Sequence, residues 1–170
     1  MSTTDVLGLD LSMTATGVAD QQGTRTIKPK ASGDQRLVEI VAGIAPLDKV
    51  RFVVLEGFVV KSPAASVLGM VHGAVRLTLS YSTVLYLVIP PATLKKFATG
   101  KGNATKADMR MALFQRAGLD LRDDNQVDAW WLRAAGFQLI GAPIVKLTAA
   151  QTAALDHIAL PSALSAPLTA

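Results

Sequence analysis

The chain reads as an α/β domain built on a mixed five-stranded sheet flanked by helices, with three antiparallel strands first and parallel strands after. Short strand-like segments crowd the N-terminal part, and beyond them helix and strand patterns alternate, the arrangement that lays helices over a sheet. Two later runs, Phe52–Leu55 and Val84–Ile89, are apolar throughout, as expected for strands covered on both faces.

The elements follow in order. Asp5–Asp10 (DVLGLD) predicts a short strand, Ser12–Gly17 a polar turn, and Val18 and Ala19 the next strand. Gln21-Gln22-Gly23 predicts a hairpin turn into Thr24–Lys28. Leu37, Ile40, Val41 and Ile44 keep the i, i+3, i+4, i+7 spacing of an amphipathic helix. Phe52–Leu55 is the next strand, Ser62–Ser80 a helix carrying small residues, and Val84–Ile89 a strand stopped by Pro90-Pro91. Thr105 with Asp108 three residues on forms a capping box for a helix ending near Gly118. Asn125–Leu139 is apolar around most of its circumference and predicts a largely buried helix. Thr148 and Gln151 repeat the capping box for a short last helix ending near Ile158. Residues 1–160 are expected to form one domain, and 161–170, rich in Ala, Pro and Ser, a disordered tail.

At 170 residues, half of them apolar, the chain can bury a core without staples. It has no cysteine, which excludes disulfides, thiolate metal sites and a cysteine nucleophile, and it suits a reducing, cytoplasmic setting. Any metal must be held by oxygen or nitrogen. No apolar stretch reaches the roughly 18 residues of a membrane span. The net charge of +4 is modest, but Lys95, Lys96, Lys101, Lys106, Arg110, Arg116 and Arg122 fall in one region, opposed there mainly by Asp108 and Asp120. Such a field suits a polyanion, although solvated helix faces produce the same pattern.

Acidic residues stand at three separated places: Asp10 ends an apolar run, Glu56 ends another, and Asp128 opens the hydrophobic helix. A single strand-end Asp is ordinarily a turn cap. Glu56, set between Phe52–Leu55 and Gly57–Val60, is harder to explain so, because buried acids are rarely left unpaired. If the fold gathers the three, they offer hard oxygen ligands to Mg²⁺, the cofactor that two-metal phosphodiester hydrolysis uses, with Mn²⁺ as a substitute.

Several ordered motifs resemble the RuvC family of Holliday junction resolvases. Leu7-Gly8-Leu9-Asp10 followed by Thr16-Gly17 is similar to its first strand and turn, and Leu55-Glu56 to its second carboxylate strand. Leu68–Gly73 matches its L-G-x-x-x-G helix, and Gly100–Lys106 its G-x-G-x-A-x-K segment, preceded by Pro91 and Lys95-Lys96. Asn125-Gln126-Val127-Asp128-Ala129 resembles its last ligand helix. The likeness spans roughly residues 5 to 140, and it implies the ribonuclease H-like fold. Two departures stand out: Asp10-Leu11-Ser12 replaces the more usual Asp-Pro-Gly, and Asn125 stands where many members carry a second acid, with Asp124 beside it. Residues three or four apart share a helix face, which favours Asn125 over Asp124 as the partner of Asp128.

The resemblance implies a Mg²⁺-dependent endonuclease that nicks four-way junctions, and possible flaps and forks, as a homodimer, leaving 5′-phosphate and 3′-hydroxyl ends. Asp10, Glu56, Asn125 and Asp128 would be the metal ligands and Lys106 a helper in the transition state. Phe58, Lys95, Lys96, Lys101, Lys106 and Arg110 would contact DNA, with Gly100 and Gly102 letting the loop backbone approach. Phe58 serves equally well as core, His72 reads as an interface or satisfied half-buried histidine, and Trp130 and Trp131 as packing residues. The Leu68–Gly73 helix could pack against its own copy or within one subunit. Two rival readings remain: a non-catalytic branched-DNA binder of the same fold, and an actin-like phosphate-binding ATPase domain, for which the chain is too short.

Overall fold

The computed structural model describes residues 5–44, 46–58, 60–61 and 63–164. The elements run β1 (Asp5–Asp10), β2 (Thr16–Asp20), β3 (Gly23–Ile27), α1 (Gln35–Ile44), β4 (Val50–Glu56), α2 (Ala65–Tyr81), β5 (Leu85–Ile89), α3 (Pro91–Thr99), α4 (Lys106–Ala117), α5 (Asp124–Leu139) and α6 (Ala149–Thr152). The sheet order is β3-β2-β1-β4-β5; β1, β2 and β3 pair antiparallel, and β4 runs parallel to both β1 and β5. This is the mixed five-stranded sheet that the sequence predicts.

Alternation along the strands separates two apolar layers. Leu7, Leu9, Val53 and Leu55 face a cluster that includes Ile40 and Ile44 of α1 and Val71, Val75 and Leu79 of α2. Val6, Phe52 and Val54 face the other cluster, with Leu94 and Phe97 of α3, Met109 and Leu113 of α4, and Trp131 and Leu132 of α5. The same parity carries Asp10 and Glu56 onto the α5 side. The register that pairs Leu9 with Leu55 leaves these two acids as the next positions on neighbouring strands.

Helix α5 lies against β1 and β2 at backbone distance. A Cβ on Gly8 would run into the Ala129 carbonyl and come within 2.6 Å of the Arg133 amide nitrogen, and one on Gly17 would run into the Asn125 carbonyl. Further along, a Cβ on Gly136 would stand 2.8 Å from Val54 Cγ2. Arg133 fastens the helix: its Nε donates to the Val6 carbonyl at 3.0 Å, and a terminal nitrogen meets buried Asp5 Oδ1 at 2.9 Å. Trp131 is fully buried, with its indole N–H donating to the Met109 carbonyl at 3.3 Å and its ring edge-on to Trp130, so packing is its role.

Three sequence expectations change. Pro90-Pro91 does stop β5, but Pro91 also opens α3, which the sequence reading lacked; proline suits the first turn of a helix, where its missing N–H costs nothing. Gly100 closes α3 at φ +87°, a conformation that glycine adopts without Cβ strain, so it ends a helix where the sequence suggests only a loop. The chain stays packed beyond Leu160: Ser162–Leu164 forms a 3-10 turn and Leu164 is buried in the α5-side core, so the expected tail does not begin at 161, and 165–170 lie outside the described residues. The α2 helix starts at Ala65, and the expected start at Ser62 lies outside the described residues. Both capping boxes form, with Thr105 and Asp108 bonded reciprocally and Thr148 and Gln151 likewise.

Gly8→Ala is expected to destabilise the protein by about 3 kcal/mol or more, because backbone rather than a flexible side chain occupies the space. Urea denaturation measures it; a loss below about 1 kcal/mol would show that α5 shifts freely on the sheet.

Candidate functional site

Parallel strands end together, and the space beyond their C-terminal ends is where open α/β sheets leave a crevice. Here β1 ends on Asp10 and β4 on Glu56, while the first turns of α5 bring Asn125 and Asp128 to the same place. All four border one pocket of about 360 Å³, which Lys95 of α3 and Lys106 of α4 also line. Phe58, Leu68 and His72 form its opposite wall. The turn after Asp10 is pinned by fully buried Thr16, whose hydroxyl donates to the Ser12 carbonyl at 2.8 Å and accepts from the Ser12 amide at 3.1 Å.

The three acids are under electrostatic stress. Burial, then the neighbouring charges of Asp10 and Asp128, push Glu56 up to about 8, with Lys95 and Lys106 pulling the other way. Burial and Asp128 push Asp10 up to about 7 against Lys106, and burial raises Asp128 to about 6 against Lys106 and Lys95. Among the described residues no hydrogen bond or ion pair reaches these three side chains. Nor, among the described residues, do three His, Cys, Asp or Glu side chains close around a common point as a finished metal cage. The acids therefore border a shared space without clasping one another. Half-buried carboxylates with no partner among the described residues and too little positive charge nearby fit a divalent cation in both donor type and charge, and the amide of Asn125 adds a neutral oxygen.

The basic residues divide. Lys95 and Lys106 reach the pocket. Lys106 also pairs with Asp124 Oδ2 at 3.3 Å, and Arg110 with Asp124 Oδ1 at 3.0 Å. Asp124 thus turns to α4, while Asn125 lines the pocket. Lys96 is exposed outside the pocket, and Lys101 lines a separate depression with Asp108 and Arg116. Phe58 stacks on His72 with ring centroids 4.8 Å apart. His72 itself is only 3% exposed and its Nδ1 has no partner, so it is not the satisfied half-buried histidine expected. Burial first, then the Arg76 charge, lowers it to about 4, which keeps the ring neutral. Asp123, which caps α5 and bonds Asn125, carries a role that sequence reasoning missed; an Asp four residues before Val127, the first buried position of the helix, is the cap signal that marks it.

No family model matches the chain, and no curated protein matches it. Solved structures do. RuvC of Thermus thermophilus in complex with a Holliday junction substrate superposes with a TM-score of 0.66 and 20% identity, over 84% of this chain and 99% of that one. A second structure of Thermus thermophilus RuvC gives 0.65 and 19%, over 84% and 100%. The chain has the ribonuclease H-like fold of RuvC.

Acids that bind protons more tightly when folded make the folded state less stable as pH rises. His72 contributes only below its ordinary value of 6.5, and Asp108 and Asp123 only below 3.8, so Asp10 and Glu56 dominate between about pH 6.5 and 8.5. The metal-free protein is expected to melt several degrees lower at about pH 8.5 than at 6.5, and Mg²⁺ to remove most of that slope. A melting temperature that rises over this window in EDTA contradicts the burial of these acids.

Proposed function

We propose that this chain is a Mg²⁺-dependent, structure-selective endonuclease that nicks four-way junctions and related branched DNA, flaps and forks included, leaving 5′-phosphate and 3′-hydroxyl ends. The observation that carries this reading is the gathering of Asp10, Glu56 and Asp128, half-buried and unpaired among the described residues, at one pocket rimmed by Lys95 and Lys106. That arrangement on the RuvC fold supports phosphodiester hydrolysis more than any phosphate-binding role.

Asp10, Glu56 and Asp128 would hold two Mg²⁺ ions, or Mn²⁺ in their place, with Asn125 as a neutral fourth donor. When bound, the ions supply the charge that activates water and receives the leaving oxygen. Apolar neighbours fix the acids: Leu9, Leu55 and Val127 are buried beside them, so the carboxylates hold position with little reorganisation. Lys106 offers a cation to the scissile phosphate, and its link to Asp124 limits where that cation can reach. Lys95 steadies the same strand. Phe58, at the mouth, presents a ring to an unpaired base, while Lys96, Lys101 and Arg110 meet flanking phosphates.

An apolar stripe on α2 supports a homodimer. Val67, Met70, Leu77 and Tyr81 are 42%, 48%, 57% and 82% exposed and share one helix face at spacings of three, seven and four. A second copy covering that face would pair two pockets, which is what symmetrical cutting of two strands needs. No helix among the described residues is long and apolar enough to cross a membrane, and DNA in the cytoplasm is the proposed target.

Incubation with labelled linear, flap, fork and four-way DNA in Mg²⁺ is expected to give nicks in the branched substrates and none in the linear duplex. Asp10→Asn, Glu56→Gln and Asp128→Asn should each lower cleavage by about 100-fold or more with junction binding retained. Tight junction binding by the unaltered protein with no scission in either Mg²⁺ or Mn²⁺ would establish the non-catalytic alternative. Lys101→Ala and Lys106→Ala should each flatten the salt dependence of binding by about one ion; an unchanged slope removes that residue from the DNA surface.

A further inference from the structure

Hydrogen bonds from β3 and from the pocket side converge on Asp123. Thr24 Oγ1 donates to Gln126 Oε1 at 2.8 Å, and Gln126 Nε2 lies 3.2 Å from Thr26 Oγ1. Thr26 Oγ1 donates to Asp123 Oδ2 at 2.7 Å, and Asn125 Nδ2 donates to Asp123 Oδ1 at 2.9 Å. The backbone N–H of Asn125 also donates to Asp123 Oδ1, at 3.0 Å. The direction is forced by Asp123. An ionised carboxylate can only accept, so Thr26 must spend its single proton there and Asn125 must offer its NH₂. Turning the Asn125 amide over would set its oxygen against a carboxylate oxygen. The Nδ2 side is therefore committed to Asp123, and the amide oxygen is the atom left for the pocket that Asn125 lines.

We propose that Asp123 is a positioning residue that fixes the Asn125 amide with its oxygen toward the acidic pocket, making Asn125 an oxygen donor to the divalent ion. The inference rests on the proposed ligand role of Asn125 and adds what makes an asparagine serviceable there. A free amide presents oxygen or nitrogen, and only the oxygen binds a hard cation. It also places a further negative charge on Asp123, where it orients the ligand through a 2.9 Å hydrogen bond.

The test separates orientation from helix capping. Serine caps helices about as well as aspartate but is too short to hold the Asn125 amide, so Asp123→Ser keeps α5 and releases the ligand. Mg²⁺ affinity of the DNA-free protein, read by calorimetry and by the Mg²⁺-induced rise in melting temperature, should fall about 10- to 100-fold in Asp123→Ser, with the metal-free melting temperature nearly unchanged. In an Asn125→Ala background the same substitution should cost at most about a few-fold, the part due to lost negative charge. Equal losses in both backgrounds would overturn the proposal, as would full affinity in Asp123→Ser while Asn125→Ala binds weakly. Full affinity in Asn125→Ala would overturn the ligand role itself, and the proposal with it.

Discussion

The structure depends on how closely α5 lies on the sheet. At Gly8 and Gly17 the helix backbone occupies the volume where any other residue would place a Cβ. That contact holds Asn125 and Asp128 at the ends of β1 and β4, where the parity of the strands has already put Asp10 and Glu56. Neither component makes a site alone. The strands supply two acids on one face, and the glycines let a helix bring two more ligand-type side chains within reach. The hydrogen bonds of Arg133 to the Val6 carbonyl and Asp5 then hold the far side of the helix in the same register.

The pocket works against the fold that builds it. Three half-buried acids that repel one another and lack partners among the described residues destabilise the metal-free chain, and the two lysines offset only part of that. Other buried polar groups have partners: Asp5 has an arginine, Gln151 bonds two carbonyls of α3, and the Trp131 N–H has an acceptor. Acids left unpaired at a shared pocket, where a ligand can complete them, are the pattern expected of a functional site.

Much of this was legible in the sequence, for particular reasons. The apolar runs and the helical spacing of Leu37, Ile40, Val41 and Ile44 state their periods openly, and the Thr105–Asp108 box announces the start of α4. The acids could be picked out because each interrupts or ends an apolar segment. Other features were hidden by context. α3 was missed because Pro90-Pro91 serves both as a stop and as a first turn, and its other boundary, Gly100, looked like loop. The need for glycine at 8 and 17 is set by a helix more than a hundred residues away, which no local pattern reveals. The cap position of Asp123 was open to reading, but its bond to Thr26 of β3, about a hundred residues away, was not. Spacing alone could rank Asn125 above Asp124, but only the ion pairs of Asp124 with Lys106 and Arg110 show what that residue does instead.

One helix serves two compartments. Leu68 and His72 of α2 wall the pocket, while Val67, Met70, Leu77 and Tyr81 of the same helix look outward. A wall a single helix thick cannot be turned on one side only: any rotation of α2 about its axis re-tilts His72 by the same angle as the outer stripe and alters its contact with the Phe58 ring. Contact outside and chamber shape inside are in this sense a single mechanical coordinate.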